Sequence, residues 1–317
     1  MADAYSEKAL ELLASQKAAW DMAISGYGSL DSAEVRSFEF EGYKIKTQFN
    51  PGRIRSTAAK VDKKSVGERK CFLCEENRPA AQESIDYGDD FWILVNPFPI
   101  FPEHLTLPLR AHEPQRVLPF FPAMLDFARD LADRFTVFYN GPKCGASAPD
   151  HMHFQAGTRG FMPIDREFDE LKRRYGKTLD EKCGVEATAI DDGLRKIVAL
   201  EGSDKAALAE RFARLHDVLA ETIPNEEEPM MNVLVNREGE TFRVVVLPRR
   251  KHRPERYHAE GERRVLLSPA SVDLGGVAII PVEEDFKRAD RSVVEEVFRE
   301  VFVERETLER IGEAYAG

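Results

Sequence analysis

The segment Asp150-His151-Met152-His153-Phe154-Gln155 places two imidazoles and a primary amide at alternate positions. It follows directly on a loop punctuated by glycine and proline, Asn140-Gly141-Pro142-Lys143-Cys144-Gly145. In an extended backbone alternate residues share a face, so the spacing predicts His151, His153 and Gln155 along one side of a strand. The chemistry that suits this set is attack on phosphorus. Neutral imidazole, with an unperturbed pKa of about 6.5, is nucleophilic at neutral pH, and the N–P bond that it forms is readily cleaved again. His153 is the nucleophile candidate. To attack through one ring nitrogen it must keep a proton on the other, most simply by donating to a backbone carbonyl, and His151 offers one two residues back. Gln155 would then present its amide to a non-bridging phosphate oxygen where charge builds up. A lone histidine would read as a hydrogen-bonded core residue; the alternating His-x-His-x-Gln favours catalysis.

A second constellation is Cys71-Phe72-Leu73-Cys74 with His112 and His151. A Cys-x-x-Cys turn offers two thiolates to one tetrahedral ion, and two imidazoles from elsewhere can close a structural zinc site. The competing reading is a pair of buried thiols, and His104 is a competing ligand. Zinc in this place would be structural, holding the His151 ring and so the neighbouring strand.

Two basic segments could meet phosphate. Asn50-Pro51-Gly52-Arg53-Ile54-Arg55 is a turn with arginines suited to bidentate contacts, followed by Lys60, Lys63 and Lys64; Arg249, Arg250, Lys251, His252, Arg253 and Arg256 crowd a second short stretch. Either could instead be a solvated face. Asn50, Arg53, Arg55, Asn96, Ser147, Arg250 and His252 are the substrate-binding candidates, and Ser268 to Gly276 is a small-residue turn where backbone could approach a sugar or phosphate.

The elements that must position these groups can be read around them. Asp90 to Val95 and Glu103 to Leu109 are short apolar runs that predict paired strands. Phe121, Met124, Leu125, Ala128, Leu131, Ala132 and Phe135 recur at helical spacing, and Thr136 to Tyr139 returns as a strand that leads into the histidine loop. Met231 to Asn236 and Thr241 to Leu247 predict a hairpin. Ser203 is placed to cap a helix running to about Glu221, Asp290 to cap a long helix from Arg291 to Arg310, and Tyr5 to Trp20 predicts an N-terminal amphipathic helix. Ile93-Leu94-Val95-Asn96 and Leu107-Pro108-Leu109-Arg110 match Val233-Leu234-Val235-Asn236 and Leu247-Pro248-Arg249-Arg250 at one ungapped offset of 140 residues, which reads as an internal duplication.

The chain has 317 residues, 43% of them hydrophobic and 32% charged, enough for two soluble domains. A net charge of -11 argues against a nucleic-acid-coating surface and makes the local basic segments better explained by phosphate. No apolar run is long enough to span a membrane, and the acidic N-terminus does not read as a secretory signal. With four cysteines in all, a reduced cytoplasmic setting is expected.

These residues resemble the histidine-triad (HIT-like) superfamily, in its galactose-1-phosphate uridylyltransferase branch, which also holds GDP-hexose phosphorylases and dinucleoside tetraphosphate phosphorylases. The pattern also looks like that of an uncharacterised bacterial family. The resemblance covers about Phe49 to Gly157 and extends to the second half through the duplication. It implies an α+β fold of tandem HIT-like domains, each an antiparallel sheet with packed helices: 1–35 as a helical appendage, 36–175 carrying the motif, and 176–317 as a repeat without it. Transferases of the branch carry Gln where hydrolases carry a third His. The resemblance therefore implies a nucleotidylated His153, transfer to inorganic phosphate or a sugar phosphate in preference to water, and structural zinc on Cys71, Cys74, His112 and His151. Met152 and Phe154 look most like GDP-hexose phosphorylases, so a nucleoside diphosphate sugar is the expected substrate. The alternatives are a dinucleoside polyphosphate phosphorylase or adenylyltransferase, and a non-catalytic zinc-stabilised nucleotide-binding module. In this sequence Asp150 separates Pro149 from His151, where uridylyltransferases have the proline adjacent, and the second half has no His-x-His. One active centre per chain, in a monomer or homodimer, is expected.

Overall fold

The computed structural model describes residues 3–58, 62–225 and 227–317. Its centre is a ten-stranded antiparallel sheet. The strands are β3 (Ser84–Tyr87), β4 (Phe91–Val95), β5 (His104–Pro108), β6 (Phe135–Asn140), β7 (His153–Thr158), β8 (Gly176–Lys182), β9 (Val185–Asp191), β10 (Lys196–Gly202), β11 (Met231–Glu238) and β12 (Thr241–Pro248). Their spatial order is β3-β4-β5-β7-β6-β11-β12-β10-β9-β8. Both faces are covered, which is why β4, β5 and β6 are buried at every position and β4 reads as a continuous apolar run.

One face packs against helices α1 (Asp3–Ala19), α2 (Asp21–Asp31), α3 (Phe121–Asp130) and α5 (Lys205–Thr222), with α7 (Arg305–Ala316) closing the far end; α4 (Ile164–Tyr175) and α6 (Arg291–Val301) lie on the other side. Phe154 and Ala156 of β7 and Val137 and Tyr139 of β6 point into the helical side. The opposite face carries Phe138, and its core includes Phe101, Phe168, Leu234 and Phe298. Over it lies a small sheet in which β2 (Lys44–Phe49) pairs antiparallel with β1 (Glu34–Glu39) and parallel with β13 (Val277–Ile280).

The strand order is a palindrome about the β6–β11 junction, where Asn232 to Val235 pair with Val137 to Asn140. It sets β4 opposite β9, β5 opposite β10, β6 opposite β11 and β7 opposite β12. The 140-residue offset instead matches β4 to β11 and β5 to β12, which hold different places in this order. What it detected is a shared local pattern, an apolar strand ending in Leu-Pro and a basic residue. The first half spends residues 141–152 between β6 and β7, whereas β11 turns directly into β12 at Gly239 (φ +57°), so the second half has no loop to carry a motif.

Several local expectations change in detail. Asp204, not Ser203, caps α5 by accepting the Ala207 N–H at 2.8 Å. Asp290 caps α6 as expected, accepting Val293 N–H at 3.0 Å, but the helix stops at Val301 because Phe302 bridges to Arg249, and a new helix starts at Arg305. The N-terminal helix, expected as an appendage, puts Ala9, Leu12 and Leu13 into the main core. α2 was not anticipated. Its Gly26 lets the helix touch the 97–99 loop, since a Cβ there would lie 2.0 Å from the Pro97 carbonyl oxygen.

Candidate functional site

β7 begins at His153, so His153 and Gln155 share a sheet face as the alternation predicts, whereas His151 sits in the turn before the strand and faces elsewhere. Met152 and Phe154 point into the helical core and are fully buried.

His153 is 4% exposed. Its Nδ1 lies 2.8 Å from the His151 carbonyl oxygen. A carbonyl only accepts, so the proton must sit on Nδ1 and the lone pair on Nε2. Nε2 has no hydrogen-bond partner among the described residues. Burial pulls the imidazole pKa down to about 4. The backbone at His153 is held by Gln115, whose Oε1 accepts the His153 N–H at 2.8 Å; its Nε2 donates to the carbonyls of His153 (2.9 Å) and Asn140 (3.0 Å). Gln115 therefore joins the ends of β6 and β7 where their own ladder, which reaches only to Phe138 and Gln155, has stopped.

Gln155 is oriented by a neighbour that the sequence suggested only as a rival metal ligand. The Ile100 N–H donates to His104 Nδ1 at 3.2 Å, so the His104 proton is on Nε2, which donates to Gln155 Oε1 at 3.0 Å. Asn96 Nδ2 donates to the same oxygen at 3.4 Å, its own Oδ1 being occupied by the Phe98 N–H. Two donors fix the amide oxygen inward and leave the nitrogen turned the other way. Burial, with Arg53 nearby, takes the His104 pKa down to about 3, so the donor role holds at any physiological pH. Tyr27 of α2 brackets the His104 backbone, donating to its carbonyl at 3.2 Å and accepting its N–H at 3.3 Å. Gly157 completes this wall, since a side chain there would strike the Phe101 ring at 2.5 Å.

The other expected residues fall into separate groups. Asn50 Nδ2 donates to the Pro99 carbonyl at 3.1 Å and Arg53 to the Phe98 carbonyl at 2.6 Å, so both grip the 97–101 loop that covers His104. Burial lowers the Arg53 pKa to about 10, and Asp273 opposes that shift. Lys60 and the side chains of Arg55 and Lys63 lie outside the described residues. The Ser147 carbonyl accepts from Arg69 at 3.3 Å. Arg250 is engaged on the carbonyls of Arg299 and Glu300, at the end of α6, and on Glu304, where a cation suits the helix terminus. His252 borders a separate basic cavity.

Cys71, Cys74, His112 and His151 come together, their ligand atoms all within 4.8 Å of one another. Cys71 Sγ lies 3.2 Å and Cys74 Sγ 3.6 Å from His151 Nδ1, and Cys74 Sγ 3.1 Å from His112 Nδ1. Tetrahedral zinc with ordinary Zn–S and Zn–N bonds needs ligand edges of about 3.5 Å. The donor orientation fits as well. His151 Nε2 donates to the Leu109 carbonyl at 2.7 Å, which frees Nδ1 to ligate, and His112 Nε2 lies 3.8 Å from Asp150, itself paired with Arg69. Burial, followed by the Cys71 thiol, raises the Cys74 pKa to about 11, a cost that a bound cation removes. His104 is not part of this cluster. Asp150, a departure from the uridylyltransferase pattern, finds its place here.

A family model described as "Domain of unknown function (DUF4922)" matches residues 12–158, which hold both constellations. No curated protein matches the chain. Among solved structures, yeast Ap4A phosphorylase Apa2 in complex with AMP is similar over 93% of this chain and 95% of its own, with a TM-score of 0.64 at 18% identity. The two chains share a fold. A DUF4931 family protein from Bacillus cereus ATCC 10987 aligns over 52% of this chain and 85% of its own, with a TM-score of 0.39 at 14% identity. The first likeness fits the α+β expectation across nearly the whole chain. No described helix is long and apolar enough to cross a membrane.

Among the residues that the motif did not reveal, His104 and Gln115 matter most. His104 and Thr106 alternate with Leu105 and Leu107, so a polar face on β5 was readable; that this face meets Gln155 depends on strand register.

Proposed function

We propose that this protein is a nucleotidyltransferase of the phosphorylase type, cleaving a phosphoanhydride of a dinucleoside polyphosphate through a nucleotidyl group held on His153. The observation that carries the reading is the orientation of His153, with Nδ1 committed to the His151 carbonyl and Nε2 left as the nucleophile. Nε2 forms a bond to an α-phosphorus as the bridging P–O bond breaks, and the electron pair leaves with the nucleoside polyphosphate. The ring becomes cationic, and the His151 carbonyl stabilises it through the retained proton. Gln155, nitrogen outward, donates to a non-bridging oxygen as charge collects there. An oxygen of inorganic phosphate then attacks the same phosphorus, the P–N bond breaks, a nucleoside diphosphate leaves and neutral His153 returns. Cys71, Cys74, His112 and His151 would hold a structural zinc ion, whose service is to anchor the turn whose carbonyl orients His153.

The choice of substrate moves away from nucleoside diphosphate sugars for two reasons. Met152 and Phe154, which pointed to GDP-hexoses, face the helical core and do not line the site. The structure similar over almost the whole chain is a phosphorylase of diadenosine tetraphosphate bound to AMP. We read the two halves as repeats meeting at β6 and β11, with one active centre.

Incubating the full chain with diadenosine tetraphosphate and phosphate should release ATP and ADP, and His153→Ala should release neither. Without phosphate, an acid-labile adduct of one AMP should appear by mass spectrometry. Competition with GDP-hexoses ranks the two substrate classes. Tight nucleotide binding with no adduct and no turnover, unchanged by His153→Ala, would instead support the non-catalytic zinc-stabilised module.

A further inference from the structure

A separate cavity of about 590 Å³ is lined by Lys251, His252, Arg253, His258, Arg263 and, among the described residues, a single carboxylate, Glu255. This cationic lining stands out in a chain of net charge -11. Beneath it, Arg249 is fully buried. Its guanidinium donates to Asn232 Oδ1 (3.0 Å) and to the carbonyls of Pro269 (2.6 Å), Lys251 (3.0 Å) and His252 (2.7 Å). Burial lowers the Arg249 pKa, and Cys144 and Asp273 oppose that shift. The His252 imidazole is pressed by burial and by Arg249, Arg253, His258 and Lys143, which together hold it neutral. Lys251 and Arg263 share Glu255 at 3.6 and 3.7 Å, and Lys251 also reaches Glu300 at 3.1 Å. The lining itself thus carries Lys251, Arg253 and Arg263 beside the one carboxylate of Glu255.

The cavity is tied to the His153 site from three directions. Asn232, held by Arg249, donates to Asn140 Oδ1 at 2.9 Å, and the Asn140 carbonyl shares Gln115 with His153. Lys143 belongs to the loop that leads from β6 to His151. Tyr257 donates to the Thr57 carbonyl at 3.4 Å, seating the 255–258 segment against the turn that carries Arg53.

We infer that this cavity binds the distal phosphates of the substrate, the polyphosphate that departs when His153 takes the α-phosphorus. The inference rests on the proposed nucleotidyl transfer and adds a chain-length preference. A leaving group of three phosphates fills a strongly cationic cavity better than a hexose 1-phosphate does, so longer polyphosphates should react faster. The test is calorimetric binding of inorganic tripolyphosphate and of orthophosphate to the full chain at low salt. Wild type and His153→Ala should bind tripolyphosphate equally, and orthophosphate at least about tenfold more weakly. Lys251→Gln/Arg263→Gln should lose tripolyphosphate affinity about tenfold. Arg263, with its side chain 65% exposed, also allows Arg263→Glu as a variant with little risk to folding, expected to weaken binding in the same direction. Unchanged affinity in these variants, or orthophosphate binding as tightly as tripolyphosphate, would overturn the inference. Intact tripolyphosphate binding with no nucleotidyl adduct would instead sink the proposed chemistry and leave the cavity as a polyphosphate site.

Discussion

Gln155 can serve a phosphate only if its amide is held nitrogen outward, and that is what His104 does from the neighbouring strand. Its imidazole takes the Ile100 N–H on one side and gives its own N–H to Gln155 on the other. His104→Phe keeps an aromatic ring beside Phe101 and Phe138 but removes both interactions. The expected result is a kcat lower by roughly 10- to 100-fold with KM and metal content little changed. The unpaired Ile100 amide should cost about 1–3 kcal/mol of stability. A variant with wild-type kcat would show that Gln155 needs no such partner. The contrast with His153 shows what was legible. The bond from His153 to the His151 carbonyl spans two residues and could be read from spacing alone. The His104–Gln155 pair spans 51 residues and exists only once β5 and β7 are in register.

Elements were legible where one residue or one periodicity defines them and less so where a distant partner does. Strands β4 to β6 and the β11–β12 hairpin follow from their apolar runs and β7 from its alternation, whereas α2 was hidden by the two glycines in Ser25-Gly26-Tyr27-Gly28. The break after α6 depends on a bridge to Arg249. The segment before β11 shows a contact of this distant kind. Its Glu228, 5% exposed, accepts Tyr139 Oη of β6 at 2.7 Å and the Val117 N–H at 2.7 Å. Burial pushes this carboxyl up to about 7 from an ordinary 4.5. Between those values the folded protein holds a proton that the unfolded chain has released, so stability falls as pH rises through the window and levels off above about 7. Glu228→Gln cannot ionise. The stability of wild type relative to this variant should therefore drop by up to about 3 kcal/mol from pH 5 to pH 8. Denaturant melts of both proteins across that range would reveal it, and a flat difference would mean that the carboxyl titrates as in water.

At the scale of the whole molecule, the sequence suggested two units, and in the structure a single ten-stranded sheet runs through both of the suggested halves. Local similarity between apolar strand–turn segments suggested a 140-residue offset that matches strands holding different places in the sheet, because burial on both faces makes such strands look alike. The palindromic order arises only when β6 and β11 pair, and the cores follow that pairing: Phe121 of α3 stacks on Phe212 of α5 with centroids 3.8 Å apart, and β13 supplies the parallel neighbour of β2. A chain ending at Tyr175 would keep every residue of the motif yet expose the β6 edge, the Phe121 face and the 45–49 strand at once. An open apolar edge of this kind invites pairing with other chains. The 1–175 fragment is therefore expected to be insoluble or to bind a hydrophobic dye strongly without a cooperative melt. Co-expression with 176–317 should restore a soluble complex through the β6–β11 ladder. If the fragment alone were soluble, melted cooperatively and formed the His153 adduct, the first half would be an independent domain and the shared sheet would be incidental to its folding.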